Sequence, residues 1–97
     1  MQLYAILRRN GWSSAEELQT AAARSSEVGD EMPDTVRWIR SYVLSEGAGS
    51  LGTVCIYEGE SPESIRWHAA RAGLPADEII PIVDTVIVRP DPVAATA

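Results

Sequence analysis

The run Ser61-Pro-Glu-Ser-Ile-Arg-Trp-His-Ala-Ala-Arg-Ala-Gly-Leu-Pro75 leaves the chain little freedom. Ser61 can cap a helix, and Pro62 suits the first turn, where its missing N–H had no partner to lose. Glu63 sets negative charge at the positive end of the helix dipole. Gly73 can take the left-handed conformation that closes a helix, Leu74 can fold back on the last turn, and Pro75 forbids continuation. The spacing predicts a helix over Pro62 to Ala72. Ile65, Ala69 and Ala72 form one narrow apolar stripe on it. His68, the one histidine of the chain, falls at the edge of that stripe. Trp67 points almost the opposite way, beside Arg71 one turn later, and the pair reads as a partner surface.

The rest of the chain arranges itself around this helix. Gln2 to Arg8 alternates as a first strand, and Asn10-Gly11 signals a turn. Two overlapping capping boxes follow, Ser13 with Glu16 or Ser14 with Glu17. They open an alanine-rich helix whose stripe (Ala15, Leu18, Ala22, Ser25) is made of small residues, and which frays around Gly29, Asp30 and Pro33. Thr35 to Leu44 and Leu51 to Tyr57 read as strands joined by a glycine-containing loop. Ala76 to Ile79 allows one short turn. Ile82 to Arg89, apolar on both faces, reads as the last strand.

The order β-α-β-β-α-β implies two right-handed crossovers. The result is a ferredoxin-like α+β fold: a four-stranded antiparallel sheet with both helices on one face. Residues 1–89 form one domain, and 90–97 read as a mobile tail. The aliphatic set Ile39, Val43, Val54 and Ile56 suits the helix side. Tyr4, Trp38, Arg40, Tyr42, Cys55 and Tyr57 are then expected together on the bare face, as a dimer interface or a small-molecule surface, since monomers rarely leave such patches to water.

Charge narrows the partners. The net charge is −6, and all eight basic residues are arginine. A nucleic-acid binder needs a basic face to neutralise phosphates, and no basic run suits an anionic membrane. No apolar run approaches the roughly 20 residues of a membrane helix, and no signal peptide is visible. The one cysteine, Cys55, has no internal disulfide partner. A cytoplasmic protein is expected.

For chemistry, His68 is the natural metal ligand or acid–base group, and equally a rim histidine bonded to a backbone carbonyl. Imidazole with oxygen ligands suits a borderline ion such as nickel. Cys55 can be a soft ligand or an inert core thiol. Arg40, between Trp38 and Tyr42, can bind an anion or pair with an acid across an interface. No phosphate loop, serine elbow or paired-carboxylate pattern appears, and no reaction can be written with a named acid, base and nucleophile.

Val36-Arg-Trp-Ile-Arg-Ser-Tyr-Val43, Cys55-Ile-Tyr-Glu58 and Ser64-Ile-Arg-Trp-His-Ala-Ala-Arg-Ala-Gly-Leu-Pro-Ala-Asp77 together resemble a small actinobacterial nickel-binding family, formerly a domain of unknown function. The likeness runs from about Leu3 to Val88. It implies a ferredoxin-like fold, a homodimer, and nickel as the metal, with His68 at the place of the family's helix histidine. Leu7 and Trp67 stand where that family commonly has acids. A non-catalytic nickel-binding dimer is thus the first expectation. A dimeric α+β barrel-type small-molecule binder or cofactorless enzyme, and a protein–protein interaction module, are the others.

Overall fold

The protein is described here by a computed structural model, which covers residues 1–92. Its elements are β1 (Gln2–Trp12), α1 (Ala15–Glu31), β2 (Val36–Ser45), β3 (Leu51–Gly59), α2 (Pro62–Ala72) and β4 (Glu78–Ile82). The strands form one antiparallel sheet in the order β2-β3-β1-β4. This is the ferredoxin-like arrangement.

The helix ends follow from the residues that make them. Ser14 caps α1 by accepting the Glu17 N–H, while the Glu17 carboxylate accepts the Ser13 N–H and hydroxyl. Ser61 caps α2 by accepting the Ser64 N–H, and Gly73 closes it at φ 69°. The Leu74 N–H then reaches back to the Ala69 carbonyl at 2.9 Å, so one more pair of helix-end groups is satisfied.

The core lies between the sheet and α2. Tyr4, Ile6, Val36, Cys55, Tyr57 and Ile65 form its buried cluster. Ala69 and Ala72 extend it along α2, and the sheet comes close at Gly59, where an added Cβ would lie 2.7 Å from Ile65 Cδ1.

Two bulges shape the sheet. In β1 the Asn10-Gly11 pair does not end the strand. It is absorbed as a bulge between Arg8 and Trp12, with Asn10 at φ 49°. Glu46 holds that bulge by accepting the Asn10 N–H and pairing with Arg9. In β2 the register against β3 shifts between Trp38 and Arg40, leaving Ile39 as the extra residue. An extra residue reverses the side-chain alternation beyond it.

The last strand sits earlier than the sequence pattern places it. Glu78–Ile82 pairs with β1, Leu3 opposite Ile82 and Leu7 opposite Glu78. By sequence Ala76 to Ile79 reads as one short turn; Pro81 falls inside the strand that forms instead, and an edge strand accepts proline. Residues 83–92 form an irregular arm instead of the expected strand. It leaves the β4 edge and reaches the β2 edge, where Asp91 accepts a hydrogen bond from the Tyr42 hydroxyl at 2.8 Å and lies 3.5 Å from Arg40. Of the expected tail, residues 93–97 lie outside the described residues.

Candidate functional site

α1 presents small residues to the sheet, and small residues leave space. The sheet fills part of it with aromatic rings. Tyr57 is 1 % exposed, its hydroxyl 2.7 Å from Ser25 Oγ on α1. Trp38 stacks on the same ring, centroids 6.0 Å apart and planes 6° from parallel. What remains between α1 and the β2–β3 half of the sheet is a cavity of about 480 Å³. Its walls include Trp12, Leu18, Trp38 and Leu74, with Thr53 and Arg8 beneath them.

Arg8 is the unusual member. It is 1 % exposed. Nη1 donates to the Pro75 carbonyl, and the guanidinium carbon lies 6.0 Å from the Tyr57 ring centroid. Nη2 is buried and has no hydrogen-bond partner. Among the described residues Arg9, Arg37, Arg40 and Arg71 each reach a carboxylate, but Arg8 does not.

His68 lies behind Tyr57, centroids 5.3 Å apart, and is also 1 % exposed. Nε2 donates to the Ser25 carbonyl at 3.0 Å, which leaves Nδ1 as the unpartnered nitrogen. Burial holds its pKa below the ordinary histidine value, against the hydrogen bond to the Ser25 carbonyl and with a smaller push in the same direction from the Arg8 charge. Burial pushes the Tyr57 hydroxyl up, against the smaller opposing effect of Ser25. The Cys55 thiol donates to Thr53 Oγ1 at 3.3 Å.

The six residues expected on one bare face are divided by the structure. Tyr4, Cys55 and Tyr57 are buried at 5 %, 5 % and 1 % on the helix side. Trp38 joins them there through its stacking on Tyr57. Arg40 and Tyr42 lie on the helix-free face with Asp91. The bulge at Ile39 makes the division within β2. The aliphatic residues are redistributed in turn: Val54 and Ile56 line the helix-free face, while Val43, opposite Thr53, faces the cavity. An α-helix striped with alanine and serine accepts large rings against it, so aliphatic content was a poor guide to the covered side. On α2, Trp67 is 59 % exposed, and Arg71 pairs with Glu31 of α1 at 2.7 Å. Arg8, the residue the sequence reading passed over, carried one signal: its parity with Tyr4 and Ile6 in β1.

Fold and site together define a small ferredoxin-like protein with a basic cavity roofed by its first helix. The chain belongs to the family described as nickel responsive protein SCO4226-like, whose model matches residues 4–82. Among solved structures it is similar to that of SCO4226 from Streptomyces coelicolor A3(2), at 22 % identity and a TM-score of 0.70, covering 87 % of this chain and 99 % of that one. At that identity the likeness shows the fold. No curated protein matches the sequence.

Proposed function

We propose that the chain is a cytoplasmic, non-catalytic binding protein that works as a homodimer. The observation that carries this reading is the arm. Val83, Val86, Ile87 and Val88 are 97 %, 86 %, 77 % and 80 % exposed. Four aliphatic side chains left to water within six residues bury little in their own subunit. They flank a helix-free face on which Ile80 and Tyr42 are each 42 % exposed. A second copy offers the same arm and face in return, so the contact closes on itself about a two-fold axis. The non-catalytic reading draws on the buried polar groups. Ser25 and Tyr57 bond to each other, Cys55 to Thr53, and His68 to a backbone carbonyl. No nucleophile among them is held by a base.

Nickel comes to this reading from the family description. The residues around His68 do not fit it. The free Nδ1 supplies one donor, but its charged neighbour is the Arg8 cation, which opposes a dication. Among the described residues no three His, Cys, Asp or Glu side chains come together as a metal group. Our reading therefore leaves His68 as a hydrogen-bond donor to Ser25 and puts no metal on it. Among the described residues no helix is long and apolar enough to cross a membrane.

Sedimentation equilibrium tests the dimer. The wild-type chain is expected at twice the subunit mass, and the Val86→Glu/Val88→Glu variant at the subunit mass with an unchanged circular dichroism spectrum. A wild-type monomer at high micromolar concentration would remove the reading. Nickel titration of untagged protein tests the other half: His68→Gln is expected to leave the isotherm unchanged, and a lost signal would return His68 to the metal.

A further inference from the structure

We propose that the cavity beneath α1 is a binding site for a small organic monocarboxylate with an apolar body, anchored on Arg8. A guanidinium keeps its charge inside a protein, so it cannot relieve its own burial by giving up a proton. An unpaired buried charge is costly unless something meets it. The protein supplies one carbonyl, from Pro75, and the face of Tyr57. Among the described residues none brings it a carboxylate, and Nη2 has no hydrogen-bond partner. The missing partner is an anion from outside.

The cavity says what kind of anion. At about 480 Å³ it lies within the range of small-molecule sites. Its walls are apolar and aromatic: Trp12 and Trp38, with Leu18 and Leu74. Thr53 lines it next to Arg8 and accepts only the Cys55 thiol, so its own hydroxyl hydrogen remains to be donated. Arg8 and Thr53 thus set a guanidinium and a hydroxyl at one end, and the remainder is mainly rings and aliphatic groups, with Gln19 and Ser41 among them. Arg8 is the one buried arginine in the lining, which favours a monoanion over a phosphate dianion. The planar fork of arginine suits a carboxylate. The Ile39 bulge contributes as well, because it lets Trp38 and Val43 both face the cavity although they lie an odd number of positions apart.

Calorimetric titration of the full-length protein with benzoate, phenylacetate, benzamide and inorganic phosphate tests this. Benzoate or phenylacetate is expected to bind saturably, one per chain. Neutral benzamide is expected to bind roughly 10- to 100-fold more weakly, the factor for losing a charge-assisted contact. Arg8→Met should lose a similar factor. Ala22→Trp, which fills the cavity from α1 and leaves Arg8 in place, should abolish binding while the melting temperature of the unliganded protein stays near wild type. Either variant binding benzoate as the wild type does would overturn the proposal. So would equal affinity for benzamide, tighter binding of phosphate than of both carboxylates, or no saturable carboxylate binding below about 10 mM, where association supplies under about 3 kcal/mol.

Discussion

Replacing Arg8 by methionine separates two reasons for burying a guanidinium, folding and binding. Methionine keeps an unbranched stem that can follow the same path. The change removes the hydrogen bond to the Pro75 carbonyl, and bonds from charged donors contribute about 1.5–3 kcal/mol. It also removes the contact with Tyr57, which at 6.0 Å sits at the limit of cation–π range and is worth about 0.5 kcal/mol. Against these losses stands the relief of Nη2, buried without a partner. Leaving such a donor unmet costs about 1–3 kcal/mol if neutral and more if charged. The opposing contributions cancel to within about 1 kcal/mol. Urea unfolding of the ligand-free protein is therefore expected to give Arg8→Met a stability within about 1 kcal/mol of wild type, with the slope unchanged. In a chain of this length that is a shift of no more than about 4–8 °C in Tm. A guanidinium that the fold depended on would behave otherwise, since breaking a buried ion pair costs about 3–5 kcal/mol. A loss of that size would refute the reasoning and make Arg8 a structural residue.

Three further outcomes follow from the same geometry. Ser25→Ala strands the buried Tyr57 hydroxyl and should cost about 1–3 kcal/mol in urea unfolding, most of it recovered in the Ser25→Ala/Tyr57→Phe double variant. Gly52→Ala would bring a Cβ to 2.7 Å from the Arg8 carbonyl oxygen and against the Glu46 carboxylate; because backbone cannot yield as a side chain does, about 1–3 kcal/mol of stability should be lost. His68 gives a pH dependence. It packs against Tyr57 of β3 and the Ser25 carbonyl of α1, and feels the charge of Arg8 on β1. Its folded pKa lies below the unfolded 6.5, so between those two values the unfolded chain binds the extra proton. Stability should then fall as pH drops below about 6.5, by at most about 1.4 kcal/mol per pH unit. Equal slopes for wild type and His68→Gln would show that His68 does not set it.

How far the sequence speaks depends on whether a feature is local. α2 is fully legible because Ser61, Pro62, Gly73 and Pro75 each act on neighbouring backbone, and both of its ends fall where those residues put them. The element order is legible for the same reason. Which sheet face the helices cover is not. That assignment took aliphatic content as the mark of the covered side, which fails for Tyr4, Cys55 and Tyr57, and one extra residue at Ile39 then divides β2 between the two faces. The last strand was misread because apolar content was equated with burial. Val86, Ile87 and Val88 are apolar and exposed, while Glu78–Ile82, interrupted by Pro81, is the segment that pairs. The cavity was invisible because it arises from what α1 lacks, namely large side chains opposite Arg8 and Thr53.

The bulge in β2 and the proline in β4 have a common consequence at the margins of the sheet. These are its two outer strands. A regular outer strand is a template on which another chain can build, and repeated addition leads to fibres. Here one margin bends at Ile39 and the other lacks an N–H at Pro81. Neither offers an unbroken row of donors and acceptors. Growth by strand addition is disfavoured at both margins. The homodimer proposed above, formed through the arm and the helix-free face, would therefore end after one step.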